Sequence, residues 1–75
     1  MVRNNDEVRR IKETYLPGMV VRLVRMDDCQ APPIGCEGIV RGVDDIGSVM
    51  ISWDNGSSLN AIPGVDEIEI RRNER

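Results

Sequence analysis

The stretch Val49-Met50-Ile51-Ser52-Trp53-Asp54-Asn55-Gly56-Ser57-Ser58-Leu59 decides how this chain folds. Val49, Ile51 and Trp53 alternate with Met50 and Ser52, the period of a half-buried strand. Asn55-Gly56 follows at once, and Asn-Gly accepts positive φ at both central positions of a type I′ turn. The expectation is a type I′ hairpin joining strands 48–53 and 57–62.

Working outward, three more strands are expected. Residues 19–25 alternate, with Met19, Val21 and Leu23 opposite Val20, Arg22 and Val24. Residues 36–43 form another, with Gly38 and Gly42 suited to a bend or bulge. Val65, Ile68 and Ile70 place the last near 66–70, after a Pro63-Gly64 turn. The segment 26–35 holds Pro32-Pro33 and is expected to be a loop, because proline interrupts a central strand. Asp44-Asp45-Ile46-Gly47 is expected as a short hairpin loop. Ahead of the strands, Asn4 to Glu7 offers a helix cap and first-turn acids. Val8, Ile11 and Tyr15 share one face of the helix that follows, and Pro17-Gly18 stops it. So short a helix needs an apolar surface to dock on, either the sheet or a partner.

Seventy-five residues make one domain, 1–75, divided into a helix at 5–16, a β-barrel at 17–70 and a charged tail at 71–75. Five short strands are too few for a sandwich. A small, mainly β, five-stranded SH3-like barrel, preceded by one short N-terminal α-helix, leaves the least unpaired edge.

Net charge is -3, unevenly spread. Residues 17–70 hold three arginines against nine acids, while both ends are mildly basic. An acidic body repels phosphate, which argues against nucleic acid on the barrel face. The chain has no histidine, the usual neutral-pH base, so no enzymatic activity is expected. Asp27-Asp28 and Asp44-Asp45 are read as turn acids rather than an acid–base or calcium pair. Cys29 and Cys36 lack the further ligands of a zinc site and are expected as reduced thiols. No metal and no cofactor is implied. No apolar run reaches the ~20 residues of a membrane span, so the chain is expected to be cytoplasmic and monomeric. Trp53 and Tyr15 are the only aromatic residues, too few for a polyproline groove or a methyl-lysine cage, and Trp53 is read as core.

A resemblance adds to this. Pro17-Gly18-x-x-Val21-x-Leu23, Met26-Asp27-Asp28-x-x-Ala31-Pro32-Pro33-x-Gly35, Gly38-x-Val40-x-Gly42-Val43-Asp44-Asp45-x-Gly47, Trp53-Asp54-Asn55-Gly56-Ser57 and Ile62-Pro63-Gly64-Val65-Asp66 occur in order. Together they resemble a small bacterial domain-of-unknown-function family found in phages and conjugative elements of Gram-positive bacteria. The likeness runs over about residues 8–70 and implies origin on a mobile element, not an activity. A looser similarity, Gly-x-Val followed by Trp-Asp-Asn-Gly-Ser, connects to the Mib/Herc2 type of SH3-like barrel, which binds peptide; it bears on fold more than function.

The resulting expectation is a protein of unknown function acting as a non-enzymatic protein-interaction accessory of a mobile element. An unidentified protein partner would meet Tyr15, Met26, Asp27, Asp28, Pro32, Pro33, Asp44 and Asp45. The alternative is weak nucleic-acid binding through the basic ends, by Arg9, Arg10, Lys12, Arg71 and Arg72.

Overall fold

The computed structural model describes residues 4–71 and runs α1 (Asn5–Thr14), β1 (Val20–Arg25), β2 (Glu37–Val43), β3 (Val49–Trp53) and β4 (Glu67–Ile70). The helix opens on a reciprocal cap. The Asn4 Oδ1 accepts the Glu7 N–H at 2.8 Å, and the Glu7 carboxylate accepts the Asn4 N–H at 3.3 Å. It ends at Thr14 rather than 16. Leu16 precedes Pro17 and is held out of the α region by the proline ring. Tyr15 is already extended, and a Leu16–Met19 turn closes with the Met19 N–H on the Leu16 carbonyl at 3.1 Å.

The four strands form one antiparallel sheet in the order β3-β2-β1-β4. Period-two alternation sends Val21, Leu23, Val40, Val49, Ile51 and Trp53 to one face, where with Ala61 they form a core no more than 3% exposed. Ile68 and Ile70 of β4, Ile11 of the helix and Tyr15 just beyond it pack half-buried around it. The register explains the glycine in β2. Gly38 sits opposite Val21 on one side and Trp53 on the other. A Cβ there would lie 2.6 Å from the Ile51 Cγ2 and 2.9 Å from the Trp53 Cε3, so only glycine lets the indole lie down. The other face is an ion-pair lattice: Arg22–Glu69 at 3.5 Å, Arg25–Glu67 at 3.7 Å and Arg71–Glu37 at 3.1 Å.

Two expectations are corrected. The sheet is open and four-stranded, not a closed five-stranded barrel. Residues 57–62 do not form a strand; among them Ala61 alone bridges β3, exchanging two hydrogen bonds with Val49 at 2.8 and 2.9 Å. Local acceptors take the rest of that segment out of the ladder. The Asn55 Oδ1 accepts the Ser57 N–H at 3.0 Å, and the Ser57 Oγ accepts the Leu59 N–H at 3.3 Å. The Leu59 carbonyl is taken by the Trp53 indole N–H at 2.9 Å.

The turn is the second correction. No non-glycine residue among those described has positive φ, so Asn55 is not the first half of a type I′ turn. The Gly56 N–H reaches the Trp53 carbonyl at 3.0 Å, and the Trp53 N–H reaches the Ser57 carbonyl at 2.9 Å. With Gly56 at φ +90°, this is a three-residue loop closed by a glycine bulge. The Asp54 N–H, drawn to the Glu37 carbonyl at 2.8 Å, ties the turn to β2. The Asp44–Ser48 connection between β2 and β3 has the same bonding, with Gly47 at φ +86°.

No helix among the described residues is long and apolar enough to cross a membrane.

Candidate functional site

Strand direction sorts the candidate residues to two ends of the sheet. β1 and β3 begin where β2 finishes, and there stand Tyr15, Asp44 and Asp45. The loop 26–36 leaves β1 at the opposite end, carrying Met26, Asp27, Asp28, Pro32 and Pro33. The structure therefore does not bring the two groups together.

At the loop end, two of the five candidates are packed inward. Met26 packs half-buried against the core, and Pro32 is buried. The Asp28 Oδ1 accepts the Gln30 N–H at 2.8 Å, the local bond by which an aspartate shapes its own turn. The loop is stitched to β1 by Gly35 N–H to the Leu23 carbonyl and Leu23 N–H to the Cys36 carbonyl, both 2.8 Å. Asp27 and Pro33 are exposed. Cys29 and Cys36 are both free thiols, the first exposed and the second half-buried. No group of three or more His, Cys, Asp or Glu among the described residues could hold a metal ion.

At the helix end, the two adjacent acids play different parts. The Asp44 Oδ1 accepts the N–H groups of Ile46 and Ser48, at 3.1 and 2.9 Å, and so shapes the hairpin. Asp45 projects into solvent and meets the Lys12 Nζ at 3.8 Å. On each side of Lys12 the seam between α1 and the β2–β3 hairpin opens into a hollow. One, of about 380 Å³, is lined by Asn5, Val8, Arg9, Lys12 and Asp45. The other, of about 270 Å³, is lined by Lys12, Tyr15, Pro17, Gly42 and Val43. Sharing Lys12, the two hollows follow one another along α1 as a trough lined by apolar Val8, Tyr15 and Val43 and by basic Arg9 and Lys12.

The five bases are not gathered into one edge. Arg9, Arg10 and Lys12 lie on the helix, whereas the Arg71 guanidinium donates to the Glu37 carboxylate at 3.1 Å on the outer face of the sheet. Arg72 lies outside the described residues.

The family model described as "Domain of unknown function (DUF4314)" matches residues 4–71, from the helix cap to the arginine beyond β4. The chain belongs to this family. No curated protein and no solved structure gives a significant match.

Residue-by-residue reading of the sequence missed Arg9, Val8 and Val43 as parts of one concavity. Ile46, exposed at the hairpin tip, was missed too, although an apolar residue between Asp45 and Gly47 in a polar turn was a usable signal.

Proposed function

We propose that this domain is a non-enzymatic protein-interaction module, an SH3-like sheet whose helix-bearing end receives a protein partner. One observation carries this reading: Leu16 and Ile46, both large and apolar, stay exposed at that end. Leu16 (52% exposed) precedes β1, Ile46 (62%) caps the β2–β3 hairpin, and Ile62 (42%) follows the residue bridged to Val49. Isolated exposed apolar residues are ordinary, but a group at one end of so small a body marks an interaction surface.

The SH3-like description is supported by the order β3-β2-β1-β4 with Ala61 beside Val49, where a fifth strand would complete a barrel. The mobile-element setting rests on the motif resemblance. Two free thiols suit a reducing, cytoplasmic compartment. Asp28 and Asp44, engaged with backbone N–H groups, act as turn acids, consistent with a role other than catalysis. The nucleic-acid alternative loses much of its basis with Arg71 committed to Glu37 and the body acidic.

A photoreactive residue in place of Ile46 tests the reading. Protein adducts that survive nuclease treatment of host lysate are expected, with far fewer from the same group at Ile34. Adducts that nuclease removes, or equal yields at both positions, refute it.

A further inference from the structure

We infer that the trough along α1 binds an extended acidic–apolar peptide segment, with two carboxylates spaced two residues apart set against Arg9 and Lys12. This rests on the protein-interaction reading and names the class of partner.

The argument begins with how the other cations are placed. On the sheet, Arg22, Arg25 and Arg71 are each matched to a glutamate, and Arg41 stands exposed on β2 with no acidic partner among the described residues. Arg9 lines the trough, also with no acidic partner among the described residues, and Lys12 has only Asp45, at 3.8 Å and with the carboxylate fully exposed. An ion pair so open to water is readily exchanged for another carboxylate. Arg9, and Lys12 held only by the exposed Asp45, therefore line a hollow together with Val8, Val43 and Tyr15.

Geometry then limits the occupant. Arg9 and Lys12 are three apart on one helical face, which puts their Cβ atoms ~5–6 Å apart. Side chains on one face of an extended peptide repeat at nearly that distance, ~6.5–7 Å, so an acid-x-acid segment matches both cations. The alternate side chains then turn towards Val8, Tyr15 and Val43. From Asn5 to Tyr15 the seam measures ~15 Å at 1.5 Å per residue, room for four or five extended residues. A nucleic acid fits less well. Its charge on every nucleotide meets more repulsion from the excess acid of the body and from Asp45 on the rim than two carboxylates do, and Tyr15 is half-buried rather than presented as a stacking platform.

The test is amide NMR of the isotopically labelled chain, titrated with acetylated, amidated Gly-Glu-Leu-Glu-Leu-Gly. Controls are the same peptide with Gln for Glu, and a thymidine oligonucleotide. Saturable shifts at Val8, Lys12, Tyr15 and Val43 are expected, with the Gln peptide at least ~fivefold weaker because the carboxylate contacts are gone. Lys12→Glu should weaken binding by at least as much, and Lys12→Gln by less, the second guarding against a helix disturbed by charge reversal. Asp45→Asn should tighten binding, since it removes the competing carboxylate; a purely structural Lys12–Asp45 contact would not produce that. Equal affinity for the Gln peptide, or no saturable shift in the trough, overturns the inference. Shifts confined to residues 26–35 overturn it while leaving a protein-interaction module standing. An oligonucleotide that binds Arg9 and Lys12 more tightly than the peptide overturns both.

Discussion

Gly38→Ala tests the packing of the sheet most directly. The added Cβ would stand 2.6 Å from the Ile51 Cγ2, 2.9 Å from the Trp53 Cε3 and 2.9 Å from the Ser52 carbonyl oxygen. Carbon atoms in contact prefer ~3.5–4 Å, so the shortfall is ~1 Å on two sides at once. Neither neighbour can retreat cheaply. Ile51 is fully buried, the indole is pinned by its N–H on the Leu59 carbonyl, and Ser52 is backbone in the β2–β3 ladder. Overpacking of this kind costs ~1–3 kcal/mol. A domain of this size has only ~3–5 kcal/mol to lose. At ~4–8 °C per kcal/mol, the melting temperature should fall by roughly 4 to 24 °C. The assay is thermal and urea denaturation followed by Trp53 fluorescence and circular dichroism, with Ile39→Ala as the control. Ile39 is the next residue along but points to the solvent face, half exposed, and its loss should cost within ~0.5 kcal/mol. If Gly38→Ala melts like wild type while Ile39→Ala does not, the two faces of β2 have been assigned the wrong way round.

Three further outcomes follow from particular contacts. Gly56→Val forces a β-branched residue into φ +90° and should cost ~1–2 kcal/mol or more, read as a lower urea midpoint with unchanged slope. Ile11→Ala should cost about 2 kcal/mol, the low end for a core aliphatic because Ile11 is only half-buried; a wild-type melting curve would mean α1 contributes nothing to the core. Trp53→Phe keeps the ring but leaves the Leu59 carbonyl without its indole donor, at ~1–3 kcal/mol, and should speed amide exchange over residues 57–60 more than elsewhere.

Elements whose signals are local were legible from the chain. The period of β3, the cap at Asn4 and the stop at Pro17 need no knowledge of distant residues. The turn after Trp53 was misread because Asn-Gly was judged alone, whereas the Asp54 N–H is drawn to Glu37 on another strand. The Asn-Gly signal predicts a returning strand over 57–62, but an indole six residues earlier claims the Leu59 carbonyl. The acids of the candidate site were legible as turn acids, and Asp44 serves as one. Which concavity a helix creates depends on where it docks. The stripe Val8, Ile11 and Tyr15 says that α1 packs, not that the packing seam opens beside Arg9 and Lys12.

The pairing of β1 with β4 has a consequence for how the molecule is made. Leu23 meets Ile68 and Val21 meets Ile70, so the first of the described strands to leave the ribosome waits for the last of them. Until then β1 has β2 on one side and a bare edge on the other, with one flank of its two most buried side chains unsheltered. Unpaired edges of this sort are where nascent chains stick to one another. Closing so long a loop costs little more than closing a short one, so the penalty falls on timing rather than final stability. A fusion partner or degradation tag placed just beyond Ile70 would thus act on the last step of folding, and its effect should be felt in yield of native protein before it is felt in melting temperature.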